Sequence, residues 1–282
     1  MELINNIEQE IRKLYNEKGI ICLGMNQDYT LPNGKQLLVW NAEVISNVIQ
    51  YGRINSLSLN SNNFSFHQVL DNILFISREI GYFTAHCFLY VDNINDIVKD
   101  KQTIFDAKKQ NWIEYYPNFG NLESSRYDMY LNVVFEKLYN FWDKLGDLLW
   151  ATFFQSDIPE RRVDFHKTID LISTKYPEYK HFLSFIWLEN FKDNDYKNFN
   201  EIRKDIVHYS SLSTKFKYQH LGTEAINKSA IPLNDKSSAE QFMNERKSYC
   251  DLFLKEIHNS IEGYIKIHEL IEEILNYRKQ NP

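Results

Sequence analysis

Apolar residues recur at steps of three and four along most of the chain, the spacing of one face of an α-helix. Residues 64–91 keep this spacing for about seven turns, and residues 123–155 repeat it. A third run, 238–279, would span roughly 60 Å as one unbroken helix. Shorter helices are predicted at 2–18, 160–175, 178–191 and after the polar segment KDNDYKN.

The periodic positions predict a core of apolar side chains from the long helices. Gly146 interrupts the second run, and we interpret it as a close approach of two helices rather than a break. Gly263 is interpreted as a bend in the third run. The predicted core positions of these two runs include Leu131, Val134, Leu138, Phe141, Leu145, Leu148, Phe253, Ile257, Ile261 and Ile271.

Two segments depart from the helical pattern. Residues 19–40 hold two apolar runs around Pro-Asn-Gly, which predicts a small β-hairpin. Residues 92–122 are mixed and read as a connector, whereas 210–237 form a long polar stretch of the kind that is usually functional or mobile. The fold class is therefore mainly α, a helical bundle over 121–282 with an N-terminal extension over 1–120 that includes the hairpin.

Composition narrows the functional classes. The chain has 282 residues, 43% of them hydrophobic, and a formal net charge of −6, which excludes a general polyanion binder. Its three cysteines are far apart and fit a reducing cytoplasm rather than a disulfide framework. Neither a glycine-rich phosphate loop nor a zinc-spaced histidine pair occurs, so no cofactor and no metal is predicted. No membrane span is predicted.

The segment EIRKDIVHYSS, residues 201–211, carries the most specific chemistry. Arg203 supplies a permanent planar cation that matches phosphate oxygens, and His208 exchanges a proton near neutral pH. Such a pair is a minimal set for cleaving RNA without a metal. On an ideal α-helix, however, residues five apart point about 140° away from each other.

This segment resembles the HEPN domain family, whose name stands for higher eukaryotes and prokaryotes nucleotide-binding. The family hallmark is an Arg, four to six residues and a His on a helical bundle, matched here by Arg203 and His208. The resemblance implies metal-independent RNA cleavage that leaves a 2′,3′-cyclic phosphate and a 5′-hydroxyl. It also implies a cytoplasmic homodimer in which two Arg–His pairs converge, with a toxin or phage-defence role and an antitoxin or defence-system partner by analogy.

Other residues join the candidate site through this resemblance. The family often places a polar or acidic residue on an earlier helix, and Asp143 is preferred for that role over Asp147. Many RNA-cleaving members carry Asn, Asp or His directly after the Arg, where this chain has Lys204. The predicted catalytic residues are Arg203, His208 and Asp143, and the predicted substrate-binding residues are Lys204, Tyr209, Ser210, Lys215 and Lys217.

Several alternatives remain open. A second match to the spacing, Arg161 and His166, lies early in a short helix and is less favoured. Asp143 and Asp147 equally fit solvated helix acids, with Asp143 paired to a lysine. The chain as a whole fits either an RNA-cleaving enzyme or a non-catalytic HEPN module that binds a nucleotide or a partner. A third reading is a helical scaffold in which Arg203 only pairs with a carboxylate.

Overall fold

A computed structural model describes residues 2–23, 66–96, 99–100, 102–117, 121–154, 157, 162–209, 230–232 and 236–281. The described part is mainly helical, as predicted. Its seven α-helices are α1 (Glu2–Lys18), α2 (Phe66–Val91), α3 (Leu122–Leu149), α4 (Phe165–Lys175), α5 (Leu183–Phe191), α6 (Lys197–Lys204) and α7 (Lys236–Gln280). No described helix is long and apolar enough to cross a bilayer.

Wider and tighter turns continue several of these helices. π-helical turns follow α3, α5 and α6 at Trp150–Phe154, Lys192–Tyr196 and Asp205–Tyr209. A 3-10 turn at Pro177–Tyr179 precedes α5, so that helix starts at Leu183 and not near 178 as the sequence suggested. π turns are rare and are often found at functional sites.

A small antiparallel sheet accompanies the helices. Its strands are β1 (Gln102–Asp106), β2 (Asn111–Pro117) and β3 (Ala230–Pro232), in the order β1-β2-β3. The β1–β2 hairpin lies in the stretch read as a mixed connector, and β3 lies in the stretch read as irregular, so both expectations were wrong there. The hairpin predicted at 19–40 falls mostly outside the described residues.

The chain divides into two compact units. The first comprises Met1–Ile20, Gly81–Glu136 and Ile202–Lys255; the second comprises Ile21–Ile80, Lys137–Glu201 and Glu256–Pro282. All predicted core positions named above on α3 and α7 are buried. Each unit also holds buried cysteines that form no disulfide, Cys87 and Cys250 in the first and Cys22 in the second.

In the second unit, Gly146 and Gly263 each lie so close to another residue that a side chain would not fit. A Cβ on Gly146 would lie 2.7 Å from the backbone nitrogen of Phe165, which confirms the predicted close approach of two helices. A Cβ on Gly263 would lie 2.3 Å from the indole ring of Trp142. Gly263 therefore makes room for a buried aromatic ring, and α7 continues through it as one helix.

Helix α4 begins five residues later than predicted. Asp164 has extended backbone, and its side chain accepts a hydrogen bond from the backbone N–H of Lys167. An aspartate in this position satisfies a donor that the first helical turn leaves open. The cap, rather than Pro159, therefore sets the start of the helix at Phe165.

Candidate functional site

Helix α6 ends with Arg203 turned inward and Lys204 turned outward. Arg203 is only 8% exposed, whereas Lys204 lies on the exposed side of the helix. Phe199 and Ile206, one turn before and one turn after, are also buried, so Arg203 lies on the inward face of the segment. A buried guanidinium requires partners, because transfer of an isolated charge out of water is very costly.

Glu136 on α3 is a partner of this guanidinium. Nη2 of Arg203 donates to both carboxylate oxygens of Glu136, at 3.2 Å each. The side chain of Glu136 is 36% exposed, so the ion pair lies at the edge of the first unit and not deep within it. Phe135, the preceding residue, is fully buried against Phe253, which fixes this part of α3.

The backbone after Arg203 leaves the α-helical geometry. Residues Asp205–Tyr209 form a π turn, whose hydrogen bonds join residues five apart instead of four. Such a turn rotates the chain less per residue than an α-helix does. The 140° separation expected on an ideal α-helix therefore does not apply between positions 203 and 208.

Two acidic residues, Glu245 and Asp205, lie near Tyr249. Tyr249 on α7 donates its hydroxyl to Glu245 at 2.9 Å. Burial, followed by the charge of Glu245 and then that of Asp205, raises the pKa of Tyr249 well above its usual value. The tyrosine therefore stays protonated and serves as a donor, so it is not a candidate for a general base.

The remaining predicted substrate-binding residues are only partly described. Lys204 is exposed at the end of α6, and the backbone of Tyr209 closes the π turn. Ser210, Lys215 and Lys217 lie outside the described residues. Among the residues that are described, no group of three or more His, Cys, Asp or Glu side chains could hold a metal ion.

Asp143 lies in the second unit and contacts the start of α4. Its carboxylate accepts a hydrogen bond from the backbone N–H of Phe165, in the first turn of that helix. Burial, then the charge of Asp164, raises the pKa of Asp143 to about 6, although the Phe165 hydrogen bond and Lys144 act in the opposite direction. It is Asp147, and not Asp143, that pairs with Lys144, at 2.5 Å.

Replacement of Asp143 by asparagine should stabilise the protein at alkaline pH. Because the pKa of this carboxyl is about 6 in the folded protein, against 3.8 for a free aspartate, the ionised group opposes folding above pH 6, and this cost disappears below pH 4. We expect Asp143→Asn to gain about 2 kcal/mol at pH 8 and little at pH 3.5. Urea unfolding at the two pH values measures this, with Asp71→Asn, at an exposed position of α2, as the control for the loss of one aspartate. A gain that is equal at both pH values would contradict the assignment.

The less favoured second match to the motif has a different setting. His166 is exposed on α4, and its Nδ1 lies 3.0 Å from a carboxylate oxygen of Asp170 on the same helix. Arg161 lies outside the described residues. His166 is thus a surface residue, and its described partner, Asp170, lies on the same helix.

Sequence reasoning did not identify Glu136. The acidic residue expected on an earlier helix was sought at Asp143, which lies two turns further along the same helix α3. Glu136 directly follows the buried pair Val134 and Phe135, at the margin of the apolar stripe. An acid at the edge of such a stripe is the signal that could have singled it out.

Together these features define a mainly α-helical domain with a buried arginine anchored by a glutamate and a histidine one π turn further on. A family model described as Cthe2314-like HEPN matches residues 79–275, more than half of the chain. The chain therefore belongs to this HEPN family. No curated protein and no solved structure shows a significant match. The matched range begins within α2, and the predicted division at residue 120 stays a prediction.

Proposed function

We propose that this HEPN protein is a metal-independent endoribonuclease with Arg203 and His208 at its centre. The observation that supports the proposal best is the anchoring of Arg203 by Glu136 directly before the π turn that holds His208. All three residues lie within the range that the family model matches.

The chemistry assigned to these residues is a transfer within the RNA chain. His208 takes the proton of a ribose 2′-hydroxyl, and the oxygen attacks the adjacent phosphorus. The bond from phosphorus to the 5′-oxygen breaks, and that oxygen leaves as a hydroxyl after it gains a proton. Arg203 stabilises the negative charge that grows on the phosphate oxygens. The products are a 2′,3′-cyclic phosphate and a 5′-hydroxyl, and no oxidant or other co-reactant is consumed.

Glu136 acts in this scheme as a positioning residue. Both of its carboxylate oxygens accept from Nη2, which ties that end of the guanidinium to α3 and restricts the positions from which Arg203 meets the phosphate. The described contacts of Asp143 are those of a helix cap, so Glu136 rather than Asp143 is the carboxylate proposed here to support Arg203. A homodimer that brings two Arg–His pairs together belongs to the same proposal, as does a toxin or defence role.

Cleavage in the presence of EDTA tests the proposal. Purified protein is incubated with a mixed-sequence single-stranded RNA in EDTA, beside an Arg203→Ala/His208→Ala variant. We expect cleavage by the wild type, with cyclic phosphate and 5′-hydroxyl ends, and a rate at least about 10²-fold lower for the variant. Equal cleavage by both proteins would point to a contaminating nuclease and would refute the assignment.

A second candidate function is a non-catalytic module that binds a nucleotide or a partner protein. The observation that favours it is the low exposure of Arg203, whose guanidinium already meets Glu136. The presence of Lys204, in place of the hydrogen-bond acceptors that follow the Arg in many active members, points the same way. Saturable RNA or nucleotide binding, with no turnover by the wild type, would establish this alternative.

A further inference from the structure

The hairpin of β1 and β2 presents two large aromatic rings to solvent. Trp112 is 68% exposed and Phe105 is 48% exposed. The two residues are direct partners across the strands, and their rings meet edge to face with centroids 5.4 Å apart. Trp112 is more exposed than Phe75, at 59%, or Tyr82, at 48%. The cross-strand contact stabilises the hairpin whether or not the rings are exposed to solvent. It therefore does not account for their exposure.

Two lysines lie in the turn beside this aromatic pair. The turn covers residues 107–110 and includes Lys108 and Lys109, which are exposed. Gln110 closes it with a φ of 49°, in the left-handed region that allows the chain to reverse into β2. The hairpin end, residues 105–112, therefore combines two lysines and one aspartate, a net charge of +1, with two exposed rings, on a chain whose net charge is −6.

The hairpin belongs to the same compact unit as Arg203 and Glu136. β3 pairs with β2, from Tyr115 opposite Pro232 to Pro117 opposite Ala230. β3 is also the next described element after the π turn that holds His208. Hairpin, β3, Arg203 and Glu136 all belong to the first unit, so the exposed rings lie on the unit that carries the proposed catalytic residues.

We propose that the end of this hairpin binds single-stranded RNA. Unpaired bases stack on Trp112 and Phe105, while Lys108 and Lys109 contact the phosphates. Positive charge combined with exposed aromatic rings is the arrangement that proteins use for single strands, because every base has a stacking face and every linkage a negative charge. The inference rests on the proposed function, since it assigns a contact for the RNA that Arg203 and His208 would cleave.

The decisive experiment measures RNA binding by full-length protein that carries His208→Ala, which prevents turnover. Fluorescence anisotropy with a labelled 12-nucleotide single-stranded RNA gives the Kd, and the tryptophan emission is followed in parallel. Trp112→Val removes the ring but keeps a β-branched residue that suits a strand. Phe75→Leu is the matched control, because Phe75 is also an exposed aromatic residue, at 59%, but lies on α2.

We expect Trp112→Val to raise the Kd roughly 10-fold and to abolish most of the RNA-induced quenching, and Phe75→Leu to change neither. Thermal unfolding checks that both variants are folded. If Trp112→Val proves unstable, Lys108→Gln/Lys109→Gln leaves the strands intact and should lower the slope of log Kd against log salt by about 1.4. An unchanged Kd and an unchanged salt slope would overturn the inference.

The outcomes also separate this inference from the nuclease proposal. If the wild type cleaves no RNA but binding depends on Trp112, the RNA contact stands and the nuclease proposal fails. If cleavage occurs with the same KM in the wild type and in Trp112→Val, the nuclease proposal stands and the hairpin contact fails. Equal competition by fully double-stranded RNA, or dependence on Trp112 only for binding a protein partner, would also overturn it.

Discussion

His208→Ala is expected to lower the rate of RNA cleavage by about 10²–10⁴-fold, the usual contribution of a positioned general acid or base. His166→Ala should leave the rate unchanged. The two histidines each stand five residues after an arginine, so the pair of variants asks which of the two motif matches carries the chemistry. His166 is exposed and meets Asp170 on its own helix, whereas His208 follows an arginine that is buried and anchored.

Single-turnover kinetics with excess protein over RNA measures this effect without interference from product release. The Kd for RNA should change little in His208→Ala, because the substitution removes a proton carrier and not a phosphate contact. A large loss of rate in His166→Ala, with His208→Ala still active, would transfer the proposed site to the other motif. Wild-type activity in both variants would leave neither motif with a catalytic role and would point to a contaminating nuclease.

Gly263→Ala is expected to destabilise the protein by about 3 kcal/mol, toward the upper end of the cost of overpacking a core. In an unobstructed helix the same substitution stabilises by about 1 kcal/mol, because alanine is the better helix former. Here the new Cβ would lie 2.3 Å and 2.5 Å from ring carbons of Trp142. Trp142 cannot move aside easily, since it is fully buried and packs against Phe165 and Phe191.

Urea unfolding of the single and double variants tests this packing. Trp142→Phe shortens the ring, so it should cost stability in the wild type and restore part of it in the Gly263→Ala background. The coupling between the two substitutions therefore reports the contact directly. A Gly263→Ala variant that is more stable than the wild type, or substitutions whose effects simply add, would contradict the close contact.

The periodic apolar pattern predicted the long helices well. α2, α3 and α7 follow runs whose buried residues recur every third or fourth position, and burial of that face is what holds such helices in place. The start of α4 was misplaced because Pro159 is a common signal for a helix start, whereas the Asp164 cap determines it. The hairpin at 102–117 was missed because its turn, Ala-Lys-Lys-Gln, lacks the Asn-Gly or Asp-Gly pair that marks a tight hairpin.

Of the candidate site, the sequence predicted only the residues that are close together along the chain. Arg203 and His208 are close in sequence, so their spacing could be read directly. Glu136 stands 67 residues before Arg203, and its place at the edge of the apolar stripe does not show which side chain it meets. The π turn at Asp205–Tyr209 was also invisible, because the apolar spacing of so short a segment does not distinguish bonds between residues four apart from bonds between residues five apart.

The buried cysteines make the two units separately observable. Burial raises the pKa of the Cys87 and Cys250 thiols, so neither is present as the reactive thiolate while its surroundings in the first unit remain folded. Cys22 is buried in the second unit. Alkylation of each thiol thus requires local opening of its own surroundings. Mass spectrometry of the modified peptides would measure the rate of local opening in each unit without any engineered label.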